Sequence, residues 1–224
     1  MRLKEYPDAE MMMLEVADRI ASDLNTCLMS HDRASLSVSG GTSPGPVFDS
    51  LSAADLDWSR VHVFPNDERC VPPGHERSNA RLIRERLLTG RAAAARFLPM
   101  YEEGQTPEEA AAAASARLEG ELPVSVLLLG MGDDMHTASL FPDSPQLRAA
   151  LAPDAPVAMA VESPSQPEAR ITLAAHVLRG AMTTHVLVKG RAKRDAIERA
   201  RRLPPQEAPI TSVWDDATVH WAEG

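Results

Sequence analysis

Apolar residues in the first thirty positions recur at helical spacing: Met12, Val16, Ile20 and Leu24 fall near one face of the segment 9–30, which predicts a helix with that stripe turned to a core. The period then changes. ASLSVS (34–39) reads as a short strand broken by Gly40 and Gly41, and Val47, Phe48 and Leu51 predict a helix after the break. RVHVFPNDER repeats the sequence of strand and then polar loop, and SNARLIRERLL (78–88) opens like a serine-capped helix. TPEEAAAAASARLE predicts another helix, because Pro107 suits a first turn and the two glutamates after it face the positive end of the helix dipole. VSVLLL (124–129) is a buried strand by its unbroken aliphatic run; VAMAVES, RITL and HVLVKG predict further strands, and RAKRDAIERARR a last helix.

Strands alternating with helices imply an α/β fold, a mostly parallel sheet with helices on both faces in a Rossmann-like arrangement. No 20–50-residue repeat and no Ser-, Gly- or Pro-rich linker interrupts the 224 residues, so residues 1–224 are expected to form a single domain, with PSQPEA (164–169) a turn or mobile loop within it. The formal net charge of −9 argues against broad binding to nucleic acid or an anionic membrane, while leaving room for a local basic pocket. MRLKEYPDAE lacks the pattern of a signal peptide, and no apolar run approaches the roughly 18–20 residues that span a bilayer, so the expected location is cytoplasmic. Cys27 and Cys70 form no CxxC pair and are expected as reduced thiols.

In an open parallel sheet, ligands bind beyond the carboxyl ends of the strands. Four polar loops follow predicted strands and should therefore gather at one edge: SGGTS (39–43), NDER (66–69), GMGDDMH (130–136) and KGRAKR (189–194). In the first, Gly40, Gly41, Thr42 and Ser43 allow close backbone approach and offer amides and hydroxyls, which suits a phosphate, although the loop is neither a Walker nor a GxGxxG pattern. GTSPG also has the form of a serine-hydrolase nucleophile elbow, but Pro44 lacks the N–H that the oxyanion would need. NDER supplies Asp67, Glu68 and Arg69; a solvated charged turn is the plain alternative, against which stand the apolar flanks Phe64-Pro65 and Val71-Pro72-Pro73. Lys193 and Arg194 crowd a helix start where cations oppose the dipole, which calls for an anion, and Arg170 can add another positive charge.

His136 is the one histidine of seven flanked by a glycine-containing loop and carboxylates. That company marks it as a general base, with Asp134 or a neighbouring carboxylate holding its tautomer. A catalytic metal needs three protein ligands, and Asp134 with His136 supplies two locally, so no metal is expected.

With these residues assembled, the chain resembles the 6-phosphogluconolactonase family of the glucosamine-6-phosphate isomerase superfamily. The likeness lies in SGGTSP, FPNDERCVPP followed by Ser78-Asn79, LLLGMGDDMHTASLFP, RITL and KGRAKR, which occur in family order from about residue 35 to 200. It implies a fold of the glucosamine-6-phosphate deaminase and ribose-5-phosphate isomerase kind. It also implies cofactor-free hydrolysis of 6-phospho-D-glucono-1,5-lactone in the oxidative pentose phosphate pathway, by a monomer or small homo-oligomer whose partner is the small-molecule substrate. By the same resemblance His136 with Asp134, Arg69 and Asp67 are catalytic, while Gly40, Gly41, Thr42, Ser43, Arg170 and Lys193 or Arg194 hold the 6-phosphate.

One position departs from the pattern. The family reads DGH where this chain has Asp134-Met135-His136, so a left-handed backbone at that position would be strained here. Two rival readings are a deaminase or aldose–ketose isomerase, in which Asp67 is the base and a DEY-like loop replaces DER, and a sugar-phosphate sensor, for whose helix-turn-helix module the short acidic N-terminus leaves no room.

Overall fold

The Asp8 side chain starts the first long element by accepting the Met11 N–H at 2.8 Å, which satisfies one of the orphan donors of the helix start. The structure, a computed structural model, describes residues 1–224. In chain order the elements are β1 (Arg2–Glu5), α1 (Ala9–Ser30), β2 (Ala34–Val38), α2 (Gly45–Leu51), β3 (Val61–Pro65), β4 (Asp67–Arg69), α3 (Asn79–Leu82), β5 (Arg96–Phe97) and α4 (Pro107–Leu118). They continue with β6 (Val126–Gly130), α5 (Leu147–Ala150), β7 (Ala158–Val161), β8 (Arg170–Leu173), α6 (Ala175–Arg179), β9 (Thr183–Lys189), α7 (Arg191–Ala200) and β10 (Thr218–Ala222).

Seven strands form one parallel sheet in the order β1-β10-β9-β6-β2-β3-β5. Its central strand β6 shows why the aliphatic run was needed: Val126 and Leu128 pack into the core under α1 and α2, while Leu127 and Leu129 pack into the other core with α4 and α7. The stripe Met12, Val16, Ile20 and Leu24 is fully buried, as the helical spacing predicted. α4 begins with a capping box in which the Thr106 hydroxyl accepts from Glu109 N–H and the Glu109 carboxylate accepts from Thr106 N–H.

Three expectations are corrected. β7 and β8 do not join the parallel sheet; with β4 they make a separate antiparallel sheet, order β4-β8-β7. The NDER segment is accordingly not only a loop: Asp67–Arg69 pairs with Arg170–Thr172, which puts Arg69 directly opposite Arg170. SNARLIRERLL is also not a regular helix, since after one turn it widens to an i→i+5 bond from Leu88 N–H to Ile83 O. The end strands β1 and β10 were not anticipated. They are short and half-polar, and only their parallel pairing with each other, and of β10 with β9, makes them strands.

The same edge of the sheet buries a polar chain. Tyr6 OH donates to His220 Nδ1 (2.7 Å), His220 Nε2 meets His185 Nδ1 (3.0 Å), and His185 Nε2 meets Asp23 Oδ2 (2.9 Å). Asp23 can only accept, so it sets every tautomer: each imidazole donates toward Asp23 and accepts from the other side. Burial, followed by the charge of His185, pushes His220 from 6.5 down to about 3, so the folded protein holds it neutral. The unfolded chain takes up the proton first as pH falls, and stability is therefore present above pH 6.5 and lost on the way down to about pH 3. We predict a loss of up to about 1.4 kcal/mol per pH unit in this window from His220. Denaturation of wild type and His220→Gln across the window checks it: the variant should lose part of the slope.

Candidate active site

The four polar loops do converge. A cavity of about 320 Å³ is lined by Ser39 to Pro44 after β2, Asp67 and Arg69 of β4, Gly130 to Gly132 and His136 after β6, and Lys193 of α7, with Asn79, Phe141, Gln166 and Arg170 completing the wall. The parallel sheet brings its strand ends to one edge, and the antiparallel sheet stands across from them carrying two arginines.

The loop after β6 is tied to itself. Gly132 N–H donates to His136 O (2.9 Å), Met135 N–H to Gly132 O (3.0 Å) and the Thr137 hydroxyl to Gly130 O (2.8 Å). Met135 sits at φ 67°, in the left-handed region that the family glycine would occupy without strain. The cost, on the order of 1 kcal/mol, is opposed by that hydrogen bond, by Ile210 N–H donating to Met135 O at 3.1 Å, and by packing of the side chain against the core. Methionine is thereby held in a left-handed conformation that glycine adopts without strain.

This fold-back places the Asp134 carboxylate on His136. Nδ1 lies 2.5 Å from Oδ1, and the His136 N–H donates to the same oxygen at 3.2 Å. Partial burial works against ionisation of Asp134, but the hydrogen bond and charge of His136 outweigh it and hold the carboxyl below its ordinary range. A carboxylate on Nδ1 keeps the proton there and leaves Nε2 as the basic nitrogen. The ring packs on Phe141, centroids 4.7 Å apart, and closely on Gly132, where an added Cβ would come within 2.2 Å of Nδ1 and 2.5 Å of Asp134 Oδ1.

Asp67 is buried, and both of its oxygens are occupied. Oδ2 accepts from Ser139 Oγ (2.6 Å) and faces Arg170 Nη1 at 3.5 Å; Oδ1 accepts from Asn79 Nδ2 (3.3 Å). Asn79 is the joint between strand and loop, since its Oδ1 accepts from Arg69 Nη1 (3.0 Å) while a Cβ on Gly40 would lie 1.8 Å from the same oxygen. Arg69 Nη1 also donates to Arg77 O at 2.5 Å, and its Nε is buried with no acceptor. Arg170 has the same orphan: it is 5% exposed and its Nε has no partner, while burial lowers its pKa against the pull of Asp67.

Beneath them Glu68 anchors α3, accepting from the backbone N–H of Arg69, Asn79 and Ala80 and from Ser78 Oγ. Burial pushes its carboxyl up in spite of these donors.

Of the cations at α7, the structure brings only Lys193 to the cavity. Arg194 is turned away by its helical position, pairing with Glu5 and Glu198, and Arg191 pairs with Glu223. Cys70 is a poor candidate for thiol chemistry, because burial and then Glu68 push it up to about 11. Asn79, Phe141 and Gln166 were missed in the sequence. Asn79 and Phe141 lie in stretches that carry the family resemblance, Ser78-Asn79 and TASLFP, but neither was given a role of its own; nothing local marked Gln166.

The family model described as glucosamine-6-phosphate isomerases/6-phosphogluconolactonase matches residues 7–221. A 6-phosphogluconolactonase of Pseudomonas aeruginosa is 42% identical over 89% of this chain and 88% of its own length. The crystal structure of a 6-phosphogluconolactonase from Shewanella baltica superposes with a TM-score of 0.95 at 32% identity, covering 99% of this chain and 97% of that one. A monomeric glucosamine-6-phosphate deaminase, 14% identical with a TM-score of 0.83 over 99% of this chain and 97% of that one, shares the fold. The mostly parallel sheet, the convergent loops and these matches together place the chain in the glucosamine-6-phosphate isomerase/6-phosphogluconolactonase family.

Proposed function

We propose that the chain hydrolyses 6-phospho-D-glucono-1,5-lactone to 6-phosphogluconate, the lactone-opening step of the oxidative pentose phosphate pathway, with His136 activating the water. The observation that carries the reading is the Asp134–His136 pair, with its Nε2 unpartnered at the wall of a cavity that also holds Arg69, Arg170 and Lys193. Like charges opposite each other in a sheet, as Arg69 and Arg170 are, destabilise it. An anionic ligand between them reverses that sign.

Lactone hydrolysis needs a nucleophilic water, a place for charge on the carbonyl oxygen, and a proton for the departing ring oxygen. Neutral His136 Nε2 takes a proton from water as its oxygen attacks C1. Arg69, fixed by Asn79 and the Arg77 carbonyl, stabilises the oxyanion. As the C1–O5 bond breaks, the imidazolium returns its proton to O5, so nothing is consumed but water. Asp134 stays ionised throughout and stabilises the imidazolium. The glycine loop with Arg170 and Lys193 holds the phosphate and so orients C1.

The deaminase-type reading requires Asp67 as a free base. Its oxygens are committed to Ser139, Asn79 and Arg170, which favours a role in positioning those groups instead.

Purified protein should accelerate opening of freshly generated 6-phosphogluconolactone above the spontaneous rate, with a chelator present; no acceleration contradicts the reading. His136→Ala should lower kcat by at least about 100-fold, the span of general base catalysis, with 6-phosphogluconate affinity measured by calorimetry nearly unchanged. Gly132→Ala should force the ring off Asp134, and kinetics should show a fall in kcat larger than any change in KM.

A further inference from the structure

The cavity wall carries a side chain that the mechanism above does not use. Gln166 stands in the PSQPEA segment and lines the cavity, with its Oε1 accepting from Arg170 Nη2 at 2.5 Å. A guanidinium has only donors, so this contact fixes the orientation of the amide: the oxygen must face Arg170, and the NH₂ is left facing the other way. Nothing in the protein accepts a hydrogen bond from that Nε2.

The segment holding it is anchored. Gln166 N–H donates to Ser163 O (3.0 Å); the Ser163 hydroxyl donates to Asp143 Oδ1 (2.6 Å), and Ser165 N–H donates to Asp143 Oδ2 (3.2 Å). Arg77 pairs with Glu168 at 3.0 Å and ties the same segment to the loop whose carbonyl holds Arg69. The stretch expected as a turn or mobile loop is a turn, and these bonds fix it in place.

The half-buried Gln166 amide thus lines the cavity with its NH₂ unpaired, beside the guanidinium of Arg170 and with Lys193 in the same lining. The NH₂, the guanidinium and the ammonium offer donors only, so the ligand they suit is rich in acceptor oxygens. Of the groups on a sugar-phosphate lactone, the phosphate offers the most acceptor positions and the charge that Arg170 and Lys193 lack.

We propose that Gln166 is a substrate-binding residue that sets preference for the phosphorylated lactone: Oε1 locks Arg170, and Nε2 donates to a phosphate oxygen. The inference rests on the lactonase reading for its substrate. It separates from a role that merely positions Arg170, because a glutamate at 166 keeps the acceptor for the guanidinium but loses the donor and adds a negative charge.

The test uses the full chain with Gln166→Ala and Gln166→Glu. Hydrolysis of 6-phosphoglucono-1,5-lactone and of unphosphorylated glucono-1,5-lactone is measured, together with calorimetry of 6-phosphogluconate and of inorganic phosphate. Gln166→Ala should raise KM for the phosphorylated lactone by about tenfold at nearly constant kcat, leave the unphosphorylated lactone unaffected, and weaken both calorimetric ligands. Gln166→Glu should raise KM for the phosphorylated lactone and weaken both calorimetric ligands further than Gln166→Ala does, again leaving the unphosphorylated lactone unaffected. Three results would overturn the proposal: wild-type KM in Gln166→Glu, an equal KM increase on both lactones, or unchanged binding in both variants. A wild-type protein that opens neither lactone would count against the lactonase reading alone, since phosphate and 6-phosphogluconate affinities still report on Gln166.

Discussion

The hydrogen bond from His136 Nδ1 to Asp134 Oδ1 is the constraint on which the site depends, and it is a product of backbone geometry. Two residues apart in sequence, the side chains meet only because the residue between them turns left-handed and Gly132 has no Cβ to keep the ring away. The loop holds this shape through three internal hydrogen bonds and a fourth to Ile210. One proton is thereby confined to Nδ1, and the nitrogen that remains basic is the one the protein leaves without a partner.

The rest of the cavity sets positive charge beside that imidazole. β4 and β8 set Arg69 and Arg170 side by side, an arrangement that a sheet alone would not favour. Asp67 offsets part of the repulsion from within, and Asn79 and Gln166 hold the two guanidinium groups in place. What the cavity is left with is positive charge, from Arg69, Arg170 and Lys193. A small acceptor-rich anion is the ligand that such a wall favours, and it is consistent with a chain that is acidic overall but locally basic at this edge.

Much of this was legible in the sequence because it is local. The helical stripe of 9–30, the aliphatic run of 124–129 and the polar loops after strands depend on neighbours a few residues away, and they form where the pattern put them. What was not legible depends on distant partners. RITL looks like any strand; only pairing with Asp67–Arg69, about a hundred residues earlier, takes it out of the parallel sheet. Lys193 and Arg194 are indistinguishable as cations in a run of basic residues, and the helix rotation that sends one to the cavity and the other to Glu5 is set by how α7 docks. Gln166 carried no signal, because its importance comes from meeting Arg170 across a loop.

The most direct test of the account is the protonation pattern of the His136 ring, read by ¹⁵N NMR of histidine-labelled protein near neutral pH, with His136→Ala to assign the signal. The account predicts a protonated Nδ1 and an unprotonated Nε2, and loss of that preference in Asp134→Ala. A ring carrying its proton on Nε2 in the wild-type protein would contradict it, because the nitrogen at the cavity would then have no lone pair with which to take a proton from water.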